Sequence, residues 1–297
     1  LTRAKQKLNY RSLTDFDRDR WVDATRWLNY VRNSGEKEEM MKLLEGKGAL
    51  VFGVANHRSI AWGIARQLHA QGASVGITYA DEGLRRHVAP LAEEIGAPFL
   101  EKCDLTNDAE IASVAEKAAA ALGRIDILVH AVAYARKEDL SGAFSETSRK
   151  GFRVAMEISC YSLVAVTREA LPFMSDEGSV ITLTYYGGEK VAPNYNVMGV
   201  AKAALESATR YLAAELGPRG IRVNAISAGP VRTLSAAGVS GFKDMYNEFP
   251  RIAPMRRHLD IDDVGSAAVW LASDLSRNTT GQTLFVDGGY SILATPG

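Results

Sequence analysis

The chain has 297 residues and balances 35 Lys plus Arg against 35 Asp plus Glu, so it can bury a large core and carries no global field that would recruit nucleic acid or an acidic membrane. Any charged partner must be met by a local patch, and a small-molecule substrate fits better. Two cysteines, Cys103 and Cys160, come without a CxxC motif or a His cluster, so no metal site is expected and both read as small core residues of a reducing compartment.

Residues 1–45 read as a helical extension of undetermined role. Ser12 to Phe16 resembles a helix start, Leu13, Phe16, Ala24, Trp27, Leu28 and Val31 recur at helical spacing, and Asn33-Ser34-Gly35 stops the pattern. The stretch lacks the apolar core of a secretory signal, and no run in the chain approaches the ~20 apolar residues that cross a bilayer. A cytoplasmic protein with neither membrane nor nucleic acid among its partners is expected.

From residue 46 to 297 the rhythm is that of a single Rossmann-type domain. Apolar runs at Ala49 to Val54, Val75 to Tyr79, Pro98 to Leu100, Ile125 to Val132, Ser179 to Thr184, Ile221 to Ile226 and Gln282 to Val286 alternate with helical patterns. That alternation predicts an α/β fold: a doubly wound, mainly parallel sheet of seven strands with helices on both faces. Such sheets bind ligands beyond the carboxyl ends of their strands, near the point where strand order reverses.

The first strand runs into Gly53-Val54-Ala55-Asn56-His57-Arg58-Ser59-Ile60-Ala61-Trp62-Gly63. Gly53 permits a tight turn, Gly63 a close helix approach, and the helix N-terminus suits a pyrophosphate. The spacing is not GxGxxG, and an ordinary strand-to-helix turn is the bland alternative. After the second strand, Asp81 either accepts from a ribose hydroxyl, favouring NADH over NADPH, or caps the next helix; Arg85 and Arg86 lie one turn on. Asp104 is placed for an adenine amino group or for a cap. Ala131, Val132 and Ala133 are small, as backbone lying against a ribose requires.

Tyr195 and Lys202 stand seven residues apart in what reads as a helix, about two turns, so both side chains share one side. A phenol beside a fixed cation suits a reductase acting on a polarised carbonyl system. The segment Ala228 to Met245 is rich in small residues and reads as a lid. Arg251, Arg256, Arg257 and His258 beyond it form a basic cluster suited to an acidic protein partner.

With Thr182 to Gly187, Pro193 to Lys202, Arg222 to Thr233 and Val286 to Tyr290, the chain resembles the short-chain dehydrogenase/reductase superfamily and, within it, the bacterial enoyl-acyl carrier protein reductases. The resemblance runs from about Leu44 to Ala294. It implies reduction of enoyl thioesters on acyl carrier protein by NADH, with NADPH as an alternative, in a homotetramer. It places Gly53, Ser59 and Ile60 at the pyrophosphate, Asp104 and Leu105 at adenine, Ala131 and Val132 at the ribose, and Val231 and Thr233 at the nicotinamide end. Tyr195 becomes the catalytic tyrosine, Lys202 the ribose-binding lysine whose charge favours electron-rich forms of the phenol, and Tyr185 a second active-site tyrosine. Ala135, Met198, Phe242 and Met245 fall on the acyl side. The family often has Ser-x-Gly where Ala131-Val132-Ala133 stands, and a glutamine where Ala80 stands. A 3-ketoacyl or carbonyl reductase would use Tyr-x3-Lys; Tyr186 to Lys190 has that spacing, but its two glycines disfavour a helix and Phe173 occupies the usual serine position. A catalytically silent nucleotide-binding sensor is the remaining alternative.

Overall fold

The computed structural model describes residues 42–234, 236–238 and 240–294, the side chain of Ala237 excepted; the helix expected at residues 12–32 lies outside them. Seven parallel strands form one sheet in the order β3-β2-β1-β4-β5-β6-β7, with β1 Gly48–Phe52, β2 Ser74–Tyr79, β3 Phe99–Lys102, β4 Ile125–His130, β5 Met174–Thr184, β6 Arg222–Ala228 and β7 Thr283–Val286. Every residue of β1, β4 and β6 is buried, the expected pattern for strands covered on both faces. The sheet domain reaches further toward the N-terminus than residue 46: Leu44 is fully buried and its N–H donates to Gln71 O at 2.9 Å.

One core joins the sheet to α1 Ile60–Ala70 and α2 Glu82–Glu94, the other to α3 Asp108–Leu122. The connection from β4 to β5 carries α4 Arg149–Met156, a π-helical turn Glu157–Tyr161 and α5 Ser162–Ala170. The helical stretch starts at Arg149 and ends before Met174, which pairs with Ile125 in the sheet. After β5 come α6 Asn196–Leu216, α7 Phe242–Ile252 and α8 Ile261–Ala272. Helices α5 and α6 share the core of α3, and α8 packs with α1 on the opposite face.

Gly63 permits the close approach its position suggested. A Cβ there would lie 2.5 Å from Ile261 O, and one at Gly265 would lie 2.6 Å from Gly63 O, so α1 and α8 cross backbone to backbone. The far end of α8 is held by Arg222, whose buried guanidinium donates to Leu271 O at 2.6 Å and Ser276 Oγ at 2.8 Å, a cation on the negative end of a helix. Both devices fix the frame beneath the strand ends where the site lies. Among the described residues, no helix is long and apolar enough to cross a membrane.

Candidate active site

Strand order reverses between β1 and β4, and beyond the carboxyl ends there opens a cavity of about 1270 Å³, larger than the ~300–1,000 Å³ of ordinary ligand pockets. The residues that the resemblance places at the site all line it, Gly53, Ser59, Ile60, Asp104, Leu105, Ala131, Val132, Ala135, Tyr185, Tyr195, Met198, Lys202, Val231, Thr233, Phe242 and Met245, whereas Asp81 is not among its lining residues.

At one end, Gly53 has φ +103°, and a Cβ would lie 2.2 Å from Ala131 O, so only glycine allows the turn and the approach to β4 together. Ser59 Oγ accepts from Ala55 and Asn56 N–H at 3.0 and 3.1 Å, which folds the turn against the N-terminus of α1. No acidic side chain stands in the first turn of α1, leaving the positive end of its dipole free for an anion. These features fit a dinucleotide pyrophosphate. Asp81 takes the second of its two readings: its carboxylate accepts from Gly83 N–H at 2.9 Å and caps α2, and Thr78, Tyr79 and Ala80 are what the end of β2 and its turn present to the cavity. Asp104 Oδ1 is engaged by the Thr106 N–H and hydroxyl at 2.9 and 2.8 Å, which holds its carboxyl below the usual range; Asn107, not Asp104, caps α3.

At the other end, Tyr185 follows β5, and its ring meets that of Tyr195 edge to face with centroids 4.9 Å apart. Tyr195 is the N-cap residue of α6 and not an interior one, yet it and Lys202 open on the same cavity. Lys202 Nζ donates to Leu183 O at 2.6 Å. Burial lowers its pKa to about 8, with Glu206 and then Cys160 acting in the opposite direction. Burial pushes both phenols up, Tyr185 to about 12; for Tyr195 the neighbouring Tyr185 and Glu206 add to the rise. The expectation that Lys202 favours electron-rich forms of the phenol is therefore corrected: desolvation dominates, and Tyr195 stands as a neutral O–H donor.

The lid segment is partly helical. Phe242 and Met245 project from α7, and Met245 Sδ accepts from the Tyr185 hydroxyl at 3.5 Å. The basic cluster is split: Arg251 pairs with Glu248 at 3.0 Å, and His258 stacks on Tyr246 at 4.0 Å, with Arg232 over the opposite side of the ring at 4.4 Å. The cavity also takes in Tyr290 to Ala294 and Ile158 of the π-helical turn, which sequence reasoning missed; neither period-2 nor period-3.6 patterning marks such segments.

The family model described as enoyl-(acyl carrier protein) reductase matches residues 53–291. The enoyl-acyl-carrier-protein reductase (NADH) of Nostoc sp. is 51% identical over 253 residues, 84% of this chain and 98% of that protein. The reductase of the same description from Bacillus cereus is 51% identical over 255 residues, 85% of this chain and 100% of that protein. Among solved structures, the Aquifex aeolicus reductase (NADH) superposes with a TM-score of 0.82 at 48% identity, covering 85% of this chain and 100% of that one. The Bacillus cereus reductase, solved with NADP+ and an indole naphthyridinone, superposes at 0.84 and 51% identity, covering 86% of this chain and 100% of that one. This chain belongs to the enoyl-(acyl carrier protein) reductase family.

Proposed function

We propose that the chain reduces the 2,3 double bond of trans-2-enoyl thioesters carried on acyl carrier protein, with NADH as cofactor, in fatty-acid elongation. The observation that carries this reading is the convergence of Tyr185, Tyr195 and Lys202 with the Gly53 to Ile60 turn on one cavity. NADH, when bound, supplies the hydride. Gly53, Ser59 and Ile60 hold its pyrophosphate, Asp104 and Leu105 its adenine, Ala131 and Val132 a ribose, and Val231 and Thr233 its nicotinamide end. Lys202 donates to the ribose hydroxyls.

Hydride addition at the β-carbon of the enoyl thioester moves negative charge onto the thioester oxygen as an enolate. Tyr195, kept protonated by burial, donates its O–H to that oxygen and stabilises the charge as it develops. Tyr185 positions the thioester and closes the pocket. Ala135, Met198, Phe242 and Met245 give the acyl chain apolar walls. Ala80 presents no carboxylate to a ribose phosphate, so NADPH remains an alternative donor. Arg256 and Arg257 are exposed and receive the acidic carrier protein.

The protein works as a homotetramer in the cytoplasm; the exposed Phe152, Tyr161, Val200 and Tyr211 on the helices after β4 and β5 support association through those faces. The residues from Lys42 onward act as one reductase domain. The 3-ketoacyl alternative loses support because Tyr186 to Gly188 is a single 3-10 turn, with the Tyr186 ring packed against Phe285 and Tyr290. NADH oxidation with crotonyl and acetoacetyl thioesters separates the readings. Turnover of crotonyl thioester alone is expected; turnover of acetoacetyl thioester alone selects the rival, and NADH binding with neither substrate turned over selects a silent sensor.

A further inference from the structure

Four residues other than glycine adopt positive φ among the described residues, and two of them flank Tyr195: Asn194 at +61° and Asn196 at +37°. Left-handed backbone is disfavoured for any residue with a Cβ, and asparagine tolerates it best. Tyr195 between them is right-handed at φ −102° and ψ −28°, so the chain reverses its sense twice in three residues. The tyrosine ring packs against Tyr185 and Gly187, while the two amides reach two different segments. Asn194 Nδ2 donates to Ser240 O at 3.0 Å, between Gly238 and Phe242 of the lid. Asn196 Nδ2 donates to Gly142 O at 3.2 Å, just beyond Leu140. Gly238, Phe242 and Leu140 all line the cavity.

We propose that Asn194 and Asn196 are positioning residues for the acid: each holds the backbone beside Tyr195 in a left-handed turn and ties it through one amide to a wall of the acyl cavity. The proposal rests on the reading of Tyr195 as the oxyanion donor. With these ties in place the phenol is set against the lid segment and the loop after β4 together. Neither amide touches the cofactor turn around Gly53 and Ser59, so the role concerns the chemical step and not nucleotide binding.

The test uses Asn196→Gly, which keeps the left-handed turn and deletes the amide, Asn196→Asp, which tolerates the turn but cannot donate, and Asn196→Ala, which loses both; Asn194→Gly reports on the lid side. With crotonyl thioester and NADH, kcat is expected to fall on the order of tenfold for the Gly and Asp variants and further for Ala, because small misplacements of a reacting group are costly. KM for the thioester and NADH affinity are expected to stay near wild type, as is the melting temperature of the Gly and Asp variants, while that of Asn196→Ala falls with the strained turn. In a Tyr195→Phe background, Asn196→Gly should cost nothing more, since there is no hydroxyl left to orient. A wild-type kcat in Tyr195→Phe removes the acid and the residue to be positioned with it. If Tyr195→Phe is slow but Asn196→Gly lowers the residual rate by the same factor again, or if the Asn variants weaken NADH binding with kcat unchanged, the acid stands and the positioning role is overturned.

Discussion

The rings of Tyr185 and Tyr195 meet edge to face, their planes at 68°, and Gly187 fills the angle between them: a Cβ there would lie 2.6 Å from the Tyr195 ring and 3.0 Å from that of Tyr185. Gly187→Ala must therefore displace one ring or the backbone. Turnover of the enoyl thioester is expected to drop at least about tenfold, with NADH affinity retained. Gly217→Ala, where nothing lies within 4 Å of the added carbon, is the control and should match wild type in both assays.

The ribose contact proposed for Lys202 predicts a pH dependence of NADH binding. Burial lowers the lysine pKa to about 8, so its ammonium loses its proton as pH rises through that value. NADH affinity should be greatest below this pH and decline above it, and by linkage NADH should raise the lysine pKa in the complex. Glu206 is the largest influence favouring the charged lysine. Its carboxyl accepts from Thr184 Oγ1 at 2.6 Å, so Glu206→Gln should move the decline to lower pH. Titration of NADH fluorescence across pH checks both shifts; a flat profile in wild type contradicts them.

His130 predicts an acid limit to stability. It is fully buried at the end of β4, with Thr182 Oγ1 at 2.9 Å from Nδ1 and Ser162 Oγ at 2.7 Å from Nε2. Burial, and then the Lys202 charge, lower its pKa to about 3. The unfolded chain binds this proton near the ordinary histidine value, so the neutral His130 contributes stability in full above about pH 6.5 and loses it progressively as pH falls toward the folded value. His130→Gln should flatten the fall in melting temperature over that window, at the cost of a lower melting temperature near neutrality.

Charge reversal at Arg256 and Arg257 tests the carrier surface. Arg256→Glu with Arg257→Glu should raise KM for the carrier-linked substrate several-fold and leave the coenzyme A-linked substrate unchanged, with the difference shrinking as salt is added. Equal effects on both substrates contradict a docking role.

The parts of the fold legible in the sequence were those whose physics is local and repetitive. The central strands β1 and β4 were found because both faces are covered: β1 is apolar throughout, and in β4 Asp126 and the terminal His130 leave Ile127 to Val129 as the apolar run. The edge strand β3 was weak and displaced, from Pro98–Leu100 to Phe99–Lys102, because half-buried Glu101 and Lys102 break the apolar run. Helical spacing brought Lys202 and Tyr195 to one cavity, but Tyr195 sits at the helix boundary, since the left-handed turns at Asn194 and Asn196 leave no trace in periodicity. Helix α7 was hidden in the small-residue lid, with Pro250 inside its last turn. The stacking of His258 on Tyr246 likewise brings together two segments on either side of Arg256, which adopts φ +53°, and no spacing rule reports it.

The central claim is that the half-buried, protonated phenol of Tyr195 stabilises the enolate, and single turnover of crotonyl thioester by Tyr195→Phe at saturating NADH tests it most directly. Loss of one oxyanion donor costs ~3–4 kcal/mol, a rate decrease on the order of 10²–10³, and NADH affinity should be unchanged. A rate within about twofold of wild type, or a loss explained wholly by weaker NADH binding, contradicts the claim.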